Sequence, residues 1–438
     1  MLRPALKSLL PALAALAGVV ALTLALQLWP LGWLVRADLK IQDAWMGLKT
    51  PLAEDAPSKL AVLVDIDPAS TAEYGSWPWP RFLLAELIQR LVGLGAAAVG
   101  LDLDLSEPDR TSPERVAESL RKWRGLELDL TGLPDDMQDY DRLLSQAIEP
   151  LPVVLGAPAR FSGPAADRAT GAAWPLTALA KAAPTGLTGL APDLDGVVRR
   201  VQLVARAGGG NPSSEGLTTV RAGREVHLAL SLRTLLRALD RDEVVLAAGP
   251  DGFKALQAVA PWDIPLDREG GFTVFFRDSD DYTHFSAADV LAGRAGAAWL
   301  KGRLVFISVT ADNPGGLLAT PGNRVRPAGE IHAAIVDNLA ARHFIVRPAE
   351  TPAIQFLLIL GSGLTSGLAF AFARPARALA VGLLWPAAVV CGSIHVFQAG
   401  GLFISPLYAV LAAALAGLAQ AGRRLAGAEN RLQTPRRQ

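Results

Sequence analysis

An uncharged apolar run close to the start of the chain constrains the fold most. Residues Leu9–Trp29 contain no Asp, Glu, Lys or Arg, and about 20 apolar residues are enough for a helix to cross a bilayer. A cleaved signal peptide is the alternative, but the run is long for a signal sequence and Gln27–Trp29 makes a poor cleavage site. The sequence therefore predicts a membrane-spanning helix at residues 9–29, preceded by a cytoplasmic N-terminus at residues 1–8.

Three more apolar stretches follow one another near the end of the chain, at residues 351–372, 378–396 and 402–418. The N-terminus, the Arg374–Arg377 connection and the tail are basic, whereas the connection Gln398–Gly401 is uncharged. Lys and Arg concentrate on the cytoplasmic side of membrane proteins. The sequence therefore predicts four spans, a basic cytoplasmic tail at residues 419–438 and a long middle segment outside the cytoplasm. Gly363 and Gly367 have the spacing of a close helix–helix contact, or a chance spacing in an Ala/Gly-rich helix.

Charge and cysteine content narrow the class of protein. The formal net charge is zero, from 42 basic and 42 acidic residues, which argues against a nucleic-acid partner because such proteins carry a basic face. Cys391 is the sole cysteine, so no disulfide staples the middle segment and the redox compartment stays undecided.

The middle segment, residues 36–347, alternates between strand-like and helix-like stretches. Short apolar runs are typical of buried strands, and apolar residues at helical spacing indicate helices. The predicted strands are Lys59–Asp67, Ala97–Leu105, Leu151–Leu155, Val198–Ala205, Glu243–Leu246, Phe272–Phe276 and Arg303–Val309, and the main predicted helices are Pro80–Leu94, Val226–Leu239 and Ala328–Arg342. This alternation predicts an α/β domain with a mostly parallel sheet.

Short blocks of this segment occur in a recognisable order. They are Val64–Asp67, Gly75–Arg81, Asp102 with Ser106–Pro108, Asp195–Arg200, Phe285–Gly293, Lys301–Phe306 with Thr310–Ala311, Thr320–Pro321 and Ala328–Ala333. Together they resemble the CHASE2 domain, an extracytoplasmic sensory module of bacterial membrane receptors. The resemblance covers about residues 36–347. It implies a sensor in the bacterial inner membrane, crossing it several times, with its main domain periplasmic or extracellular.

Two features depart from the family pattern. Ser308 stands where the family often has glycine near the end of the last strand. Family members also usually continue into a cytoplasmic kinase or cyclase, whereas this chain ends roughly 20 residues after its last predicted span. The resemblance therefore implies a separate signalling protein as partner, and by analogy a homodimer.

Acidic residues gather at or just after the predicted strand ends, where α/β sheets open their ligand crevice. The candidate metal ligands are Asp65, Asp67, Asp102, Asp104, Glu330 and His332. Hard oxygen ligands of this kind suit Ca²⁺ or Mg²⁺. The other interpretation is that some of these acids cap helices or shape turns, since Asp67 precedes Pro68 in a turn-forming setting.

A second set of residues has the chemistry of ligand recognition. Trp77 and Trp79 offer rigid aromatic surface beside the cation of Arg81, although the same residues would equally serve to fix the start of a helix. The full set of candidate ligand-binding residues is Asp65, Asp67, Trp77, Trp79, Arg81, Asp102 and Arg199.

The sequence contains none of the phosphate-binding, zinc-protease or serine-hydrolase motifs that mark common enzymes, and Ser286 beside His284 is too weak a basis for a hydrolase. We therefore expect a sensor or receptor subunit without catalysis. A membrane-tethered, metal-dependent extracytoplasmic enzyme and a structural scaffold of a membrane complex are the two alternatives.

Overall fold

The computed structural model describes residues 2–48, 60–161, 169–170, 172–190, 192–206, 216–249, 252–257, 263–276, 282–311, 316–322, 324–347 and 350–433. Lys59, at the start of the first predicted strand, and residues 434–438 of the predicted tail lie outside these ranges. The chain divides into two compact units, one of Met1–Thr50 with Val346–Gln438 and one of Pro51–Ile345. We call them the membrane unit and the outer domain.

The membrane unit consists of long helices, namely α1 (Leu2–Leu28), α2 (Gly32–Leu48), α13 (Thr351–Phe372), α14 (Pro375–Gly400) and α15 (Leu407–Gln433). Within the described residues, α13 and α14 are long and apolar enough to cross a membrane. Leu13–Leu28 of α1 passes the same test only together with α2, and the two helices are bent by 79°. The described chain therefore has two such helices, or three if the bent pair is one span, and the prediction of four is wrong.

The fourth predicted span fails for two reasons. Residues 402–406 are not helical, so α15 begins only at Leu407. Its uncharged part ends before Arg423, which leaves about 16 residues, or roughly 24 Å of helix. That is shorter than the hydrocarbon core of about 30 Å.

The predicted glycine contact is confirmed. A side chain at Gly367 would lie 2.6 Å from the side chain of Leu16 in α1, and one at Gly363 would lie 3.0 Å from Val20. The missing side chains therefore let α1 and α13 approach closely, as small residues do between membrane helices.

Arg347 ties together the two segments through which the chain enters and leaves the outer domain. Its Nη2 donates a hydrogen bond to Gln42 Oε1 of α2 at 2.7 Å and lies 3.7 Å from Asp38 Oδ2. The guanidinium also sits over the ring of Phe403, 4.8 Å from its centroid. The entry helix α2 and the segment before α13 are thus held to one another inside the membrane unit.

The outer domain is built on a six-stranded parallel sheet, which confirms the predicted fold class. Its strands are β1 (Ala61–Ile66), β2 (Ala98–Leu101), β3 (Val153–Ala157), β6 (Thr185–Leu187), β15 (Thr283–Ser286) and β16 (Leu304–Val309). Their order across the sheet is β15-β1-β16-β2-β3-β6. The last of these six strands in sequence, β16, therefore lies between the first two, and Ala61 pairs with Leu304.

Helices cover both faces of this sheet, so its strands are apolar on both sides, as parallel strands usually are. One face packs against α3 (Pro68–Tyr74), α4 (Arg81–Gly93), α7 (Tyr140–Ile148), α8 (Thr177–Ala182), α10 (Ala287–Leu291) and α11 (Ala297–Leu300). The other face packs against α9 (Leu230–Ala238) and α12 (Ala328–Ala341). Two further helices between β2 and α7 in the chain, α5 (Pro113–Arg124) and α6 (Asp135–Gln138), bury no residue.

The remaining strands are antiparallel. A second sheet joins β9 (Gly216–Arg221), β11 (Glu243–Gly249), β12 (Gly252–Gln257) and β13 (Ile264–Pro265), and two-stranded ribbons pair β4 (Arg160–Phe161) with β5 (Ala169–Thr170), β7 (Arg200–Gln202) with β14 (Gly271–Thr273), β8 (Val204–Arg206) with β10 (Val226–Leu228) and β17 (Leu317–Thr320) with β18 (Arg324–Pro327). The predicted helix at Val226–Leu239 starts four residues late, because Val226–Leu228 pairs with β8 instead.

Candidate functional site

The carboxyl ends of β1, β16 and β2 lie side by side. Because β16 is inserted between the first two strands, consecutive strands of the chain separate there, and α/β sheets bind ligands at such points. Asp65 belongs to β1, Ser308 to β16, and Asp102 follows β2 directly. Asp65 and Ser308 are register partners and share the sheet face covered by α12.

A chain of polar contacts runs through this edge, and we call it the His284 network. Its members are Ser308, Asp65, His284, Glu330 and Arg326. Ser308 Oγ donates to Asp65 Oδ1 at 3.2 Å, and Asp65 Oδ2 lies 2.7 Å from His284 Nδ1. His284 Nε2 lies 3.7 Å from Glu330 Oε1, and Arg326 Nη1 donates to Glu330 Oε2 at 2.9 Å. The network thus joins three strands of the central sheet, β1, β15 and β16, and the ribbon strand β18 to the first turn of α12.

The network is buried except at its histidine. Asp65, Ser308, Glu330 and Arg326 are between 2% and 8% exposed, whereas 34% of the His284 side chain is exposed. Burial disfavours a charged imidazole, but the hydrogen bond to Asp65 and the negative charges of Asp65 and Glu330 outweigh it and raise the pKa of His284 above its usual value. His284 is therefore the point at which solvent reaches the network.

A cleft of about 320 Å³ opens beside the network, and we call it the Asp102 cleft. The lining residues are Trp77, Asp102, Leu103, Asp104, Pro158, Thr188, Leu190, Ser308, Val309, Gly316, Leu318 and Ala328. Ser308 belongs to both features, so the cleft and the network are continuous. The volume is at the low end of small-molecule pockets, which span about 300–1,000 Å³.

His332 approaches Asp102 from the core. It is fully buried, stacks on Phe306 with 5.6 Å between ring centroids, and places Nε2 3.6 Å from Asp102 Oδ2. Neither ring nitrogen has a hydrogen-bond partner among the described residues. Buried polar groups are normally bonded, so this histidine needs an explanation.

The other predicted metal ligands are occupied elsewhere. Asp67 caps α3, where it accepts hydrogen bonds from Ser70 and Ser286, and these bonds overcome the effect of burial and lower its pKa. Asp104 Oδ1 accepts from both the backbone and the hydroxyl of Ser106. Within the described ranges, no three His, Cys, Asp or Glu side chains are arranged to hold a metal ion. The metal hypothesis gains no geometric support there.

Three of the predicted ligand-binding residues make structural contacts. Trp79 is 1% exposed and donates from Nε1 to the carbonyl of Gly75 at 2.7 Å. Arg81 is buried with its Nε 3.5 Å from Asp141 Oδ1. Arg199 is fully buried and pairs through both terminal nitrogens with Asp195.

The remaining four candidates are at or beside the strand ends. Trp77 and Asp102 line the Asp102 cleft, Asp65 lies in the His284 network, and Asp67 follows β1 directly as the N-cap of α3.

The sequence alone did not point to His284 or Arg326. His284 reaches Asp65 only because β15, some 220 positions along the chain, pairs with β1. A histidine–carboxylate pair such as His284–Asp65 would also suit a general base, but Ser286 Oγ bonds to Asp67 and Ser70 rather than to His284. The geometry at Ser286 is therefore that of a structural hydroxyl.

These observations define a class of protein: an α/β domain with a polar crevice at the edge of a parallel sheet, in a chain anchored by apolar helices that could cross a membrane. The sequence profile of the CHASE2 domain matches residues 16–368, and the chain belongs to this family. CHASE2 domains are extracytoplasmic sensory domains, so the predicted family is confirmed. No curated protein and no solved structure matches the chain.

Proposed function

We propose that this chain is a membrane-bound sensor subunit. Its outer domain detects a stimulus outside the cytoplasm at the edge formed by the Asp102 cleft and the His284 network. The membrane helices pass the resulting change to a separate signalling protein.

Helix α12 is the observation that carries this proposal. Its first turn supplies Ala328 to the cleft and Glu330 to the network. Its last residue, Ala341, is followed within ten positions by α13, which begins at Thr351. A stimulus that moves the first turn of α12 therefore acts on the helix whose chain continues into the membrane. Such a stimulus must favour one state of the domain over another, because a ligand shifts an equilibrium only by its differential affinity.

We further propose that the arginine-rich end of the helices faces the cytoplasm of a bacterial cell, with the chain crossing its inner membrane more than once. Arg424 Nη1 donates to the carbonyl of Ala373 at 2.8 Å. This contact supports a single basic end of the bundle, since it brings the arginines of α15 next to the Arg374–Arg377 connection. Basic ends of membrane helices lie on the cytoplasmic side.

A label on Cys391 in α14 tests the sensor proposal, because it is the sole cysteine and is exposed in the membrane unit. The full-length protein carries a nitroxide there and is placed in lipid nanodiscs. Glu330→Gln removes the charge at the first turn of α12 and is expected to change the spectrum of the label. Glu86→Gln, on the exposed pair of α4 with Arg90, is the matched control and should leave it unchanged.

Hydrogen exchange on the same samples distinguishes a substitution that does not affect α12 from one whose effect does not reach the membrane helices. It shows whether Glu330→Gln alters protection along α12 while the domain stays folded. A clear change in α12 protection with an unchanged Cys391 spectrum would refute the proposed route from the outer domain to the membrane helices.

The two alternatives predict other results. A metal-dependent enzyme would lose a measurable turnover in Asp102→Asn. A scaffold would keep its complex in both Asp102→Asn and Glu330→Gln, because surface contacts alone would hold it. The homodimer stays a prediction, which the mass of the protein in nanodiscs tests.

A further inference from the structure

The charged side chains among the described residues that line the Asp102 cleft are all negative. Among its described lining residues, the charged side chains are the carboxylates of Asp102 and Asp104, and the rest are apolar residues, glycine, hydroxyls and Trp77. Leu190, Val309 and Leu318 supply apolar wall, and the half-buried Trp77 supplies an aromatic ring. Apolar walls with a few placed polar groups are typical of small-molecule sites. The sign of the charge favours a cation.

Asp102 has no hydrogen-bond donor for its carboxylate within the described part of the chain, and His332 Nε2 lies 3.6 Å from its Oδ2. That histidine is fully buried with both ring nitrogens unpartnered, as described above. Asp65, in contrast, is bonded on both oxygens, by Ser308 and His284. Among the described groups at this edge, the carboxylate left to be completed is therefore that of Asp102, and a ligand in the cleft can supply its donor.

We propose that the Asp102 cleft binds a small organic cation, a primary ammonium group on a short apolar or aromatic body. The ammonium donates to Asp102, the apolar body lies against Leu103, Leu190 and Leu318, and Trp77 faces the cation through its ring. This inference names the ligand class of the sensor site proposed above, and its signalling consequence rests on that proposal. Ligand contact with Ser308 then reaches Asp65 and the rest of the His284 network.

A divalent metal ion is the competing cation. Ca²⁺ requires six to eight oxygen ligands and Mg²⁺ near-octahedral geometry, whereas one oxygen of Asp104 is already bonded twice by Ser106. An ammonium group needs only a few acceptors, and the organic body attached to it can pack against the hydrophobic wall of the cleft. The organic cation therefore fits the lining better.

Binding of phenethylamine to the full-length protein in nanodiscs tests the inference, with 2-phenylethanol as the neutral probe of the same shape. Saturation-transfer NMR titration gives both dissociation constants. We expect phenethylamine to bind at least about tenfold more tightly than the alcohol, because the charge-assisted hydrogen bond is the difference between them. Equal affinities would overturn the inference.

Variants locate the binding. Asp102→Asn keeps the shape of the side chain and should weaken phenethylamine about tenfold or more, while Asp129→Asn, at an exposed turn acid bonded by Thr131, should not. Leu318→Trp fills the cleft without touching a carboxylate and should weaken both probes. An unchanged affinity in Asp102→Asn, or a CaCl₂-induced rise in melting temperature that Asp102→Asn removes, would refute the organic cation.

The Cys391 label separates this inference from the sensor proposal. Phenethylamine that binds through Asp102 without altering the label upholds the ligand class and contradicts signalling through α12. A label that responds to Glu330→Gln while no amine binds upholds signalling through α12 and contradicts the ligand class.

Discussion

Removing the cation of the Arg326–Glu330 pair should destabilise the outer domain strongly. Arg326 is 2% exposed, donates to Glu330 at 2.9 Å and to Thr320 Oγ1 at 3.2 Å, and lies over the ring of Phe276. Arg326→Met keeps most of the apolar stem but leaves the buried Glu330 without the positive charge of Arg326, while His284 still lies beside it. Breaking a buried ion pair in this way costs about 3–5 kcal/mol. Since His284 retains part of the compensation, we expect about 3 kcal/mol.

Pulse proteolysis of the full-length protein in urea measures this loss, because the protease cuts only unfolded outer domain. With a urea dependence of about 3 kcal/mol per molar, the midpoint should fall by about 1 M. The exposed pair Arg294–Asp289 has a shorter contact, 2.6 Å, yet Arg294→Met should barely move the midpoint, because water screens such pairs.

The double variant Arg326→Met/Glu330→Gln decides whether the buried charge is the cause. Removing both charges should be less costly than Arg326→Met alone, because no unpaired ion then remains inside. A double variant as unstable as the sum of its single variants would refute the reasoning, and so would a midpoint shift below about 0.3 M in Arg326→Met.

Two more perturbations test the same edge of the sheet. The pKa of His284 is raised in the folded domain. Its stabilising contribution is therefore complete below the ordinary histidine pKa of about 6.5 and is lost as the pH rises through the raised value. Urea midpoints should fall over that pH range in the wild type and change less with pH in His284→Gln. Gly329→Ala would place a methyl group 2.8 Å from Ser308 Oγ and 3.3 Å from Leu63; overpacking should exceed the gain in helix propensity and cost about 1–2 kcal/mol, and Gly329→Ala/Ser308→Ala should recover part of it in the same assay.

Four of the six strands of the central sheet, β1, β2, β3 and β16, could be predicted because their signal is local, whereas β6 and β15 fell in no predicted strand. Ala61–Ile66 and Leu304–Val309 are fully buried and apolar except at Asp65 and Ser308, and each falls inside a predicted strand. The first turn of α12 was also placed correctly, at Ala328. Apolar runs between turn residues specify such elements without knowledge of their neighbours.

The candidate site depended on information that is not local. Asp65 and Asp102 were recognised because acids at strand ends have a known placement. His284 and Arg326 were missed because their importance comes from pairing of β15 with β1 and from the ribbon before α12. Arg199 is the opposite case, because its acidic partners Asp193 and Asp195 lie within six positions of it and belong to a local turn rather than to the crevice.

The membrane prediction failed where apolar composition and helix length disagree. Residues 402–418 are apolar, but the chain turns before Leu407 and charge returns at Arg423. The average hydropathy of residues 402–418 does not reveal that residues 402–406 are not helical. A membrane span requires an unbroken helix.

The position of β16 has a consequence for how the outer domain is made. This strand fills the gap between β1 and β2, and its Ser308 meets Asp65 across 243 residues. The chain must lose the entropy of closing this long loop before β16 can pair with β1 and stabilise the sheet. The edges of β1 and β2 that pair with β16 therefore stay unpaired until nearly the whole domain has been synthesised and exported. A chain that stops before Leu304 cannot close its central sheet, so each shortened product should be a substrate for proteases and chaperones rather than a smaller folded domain.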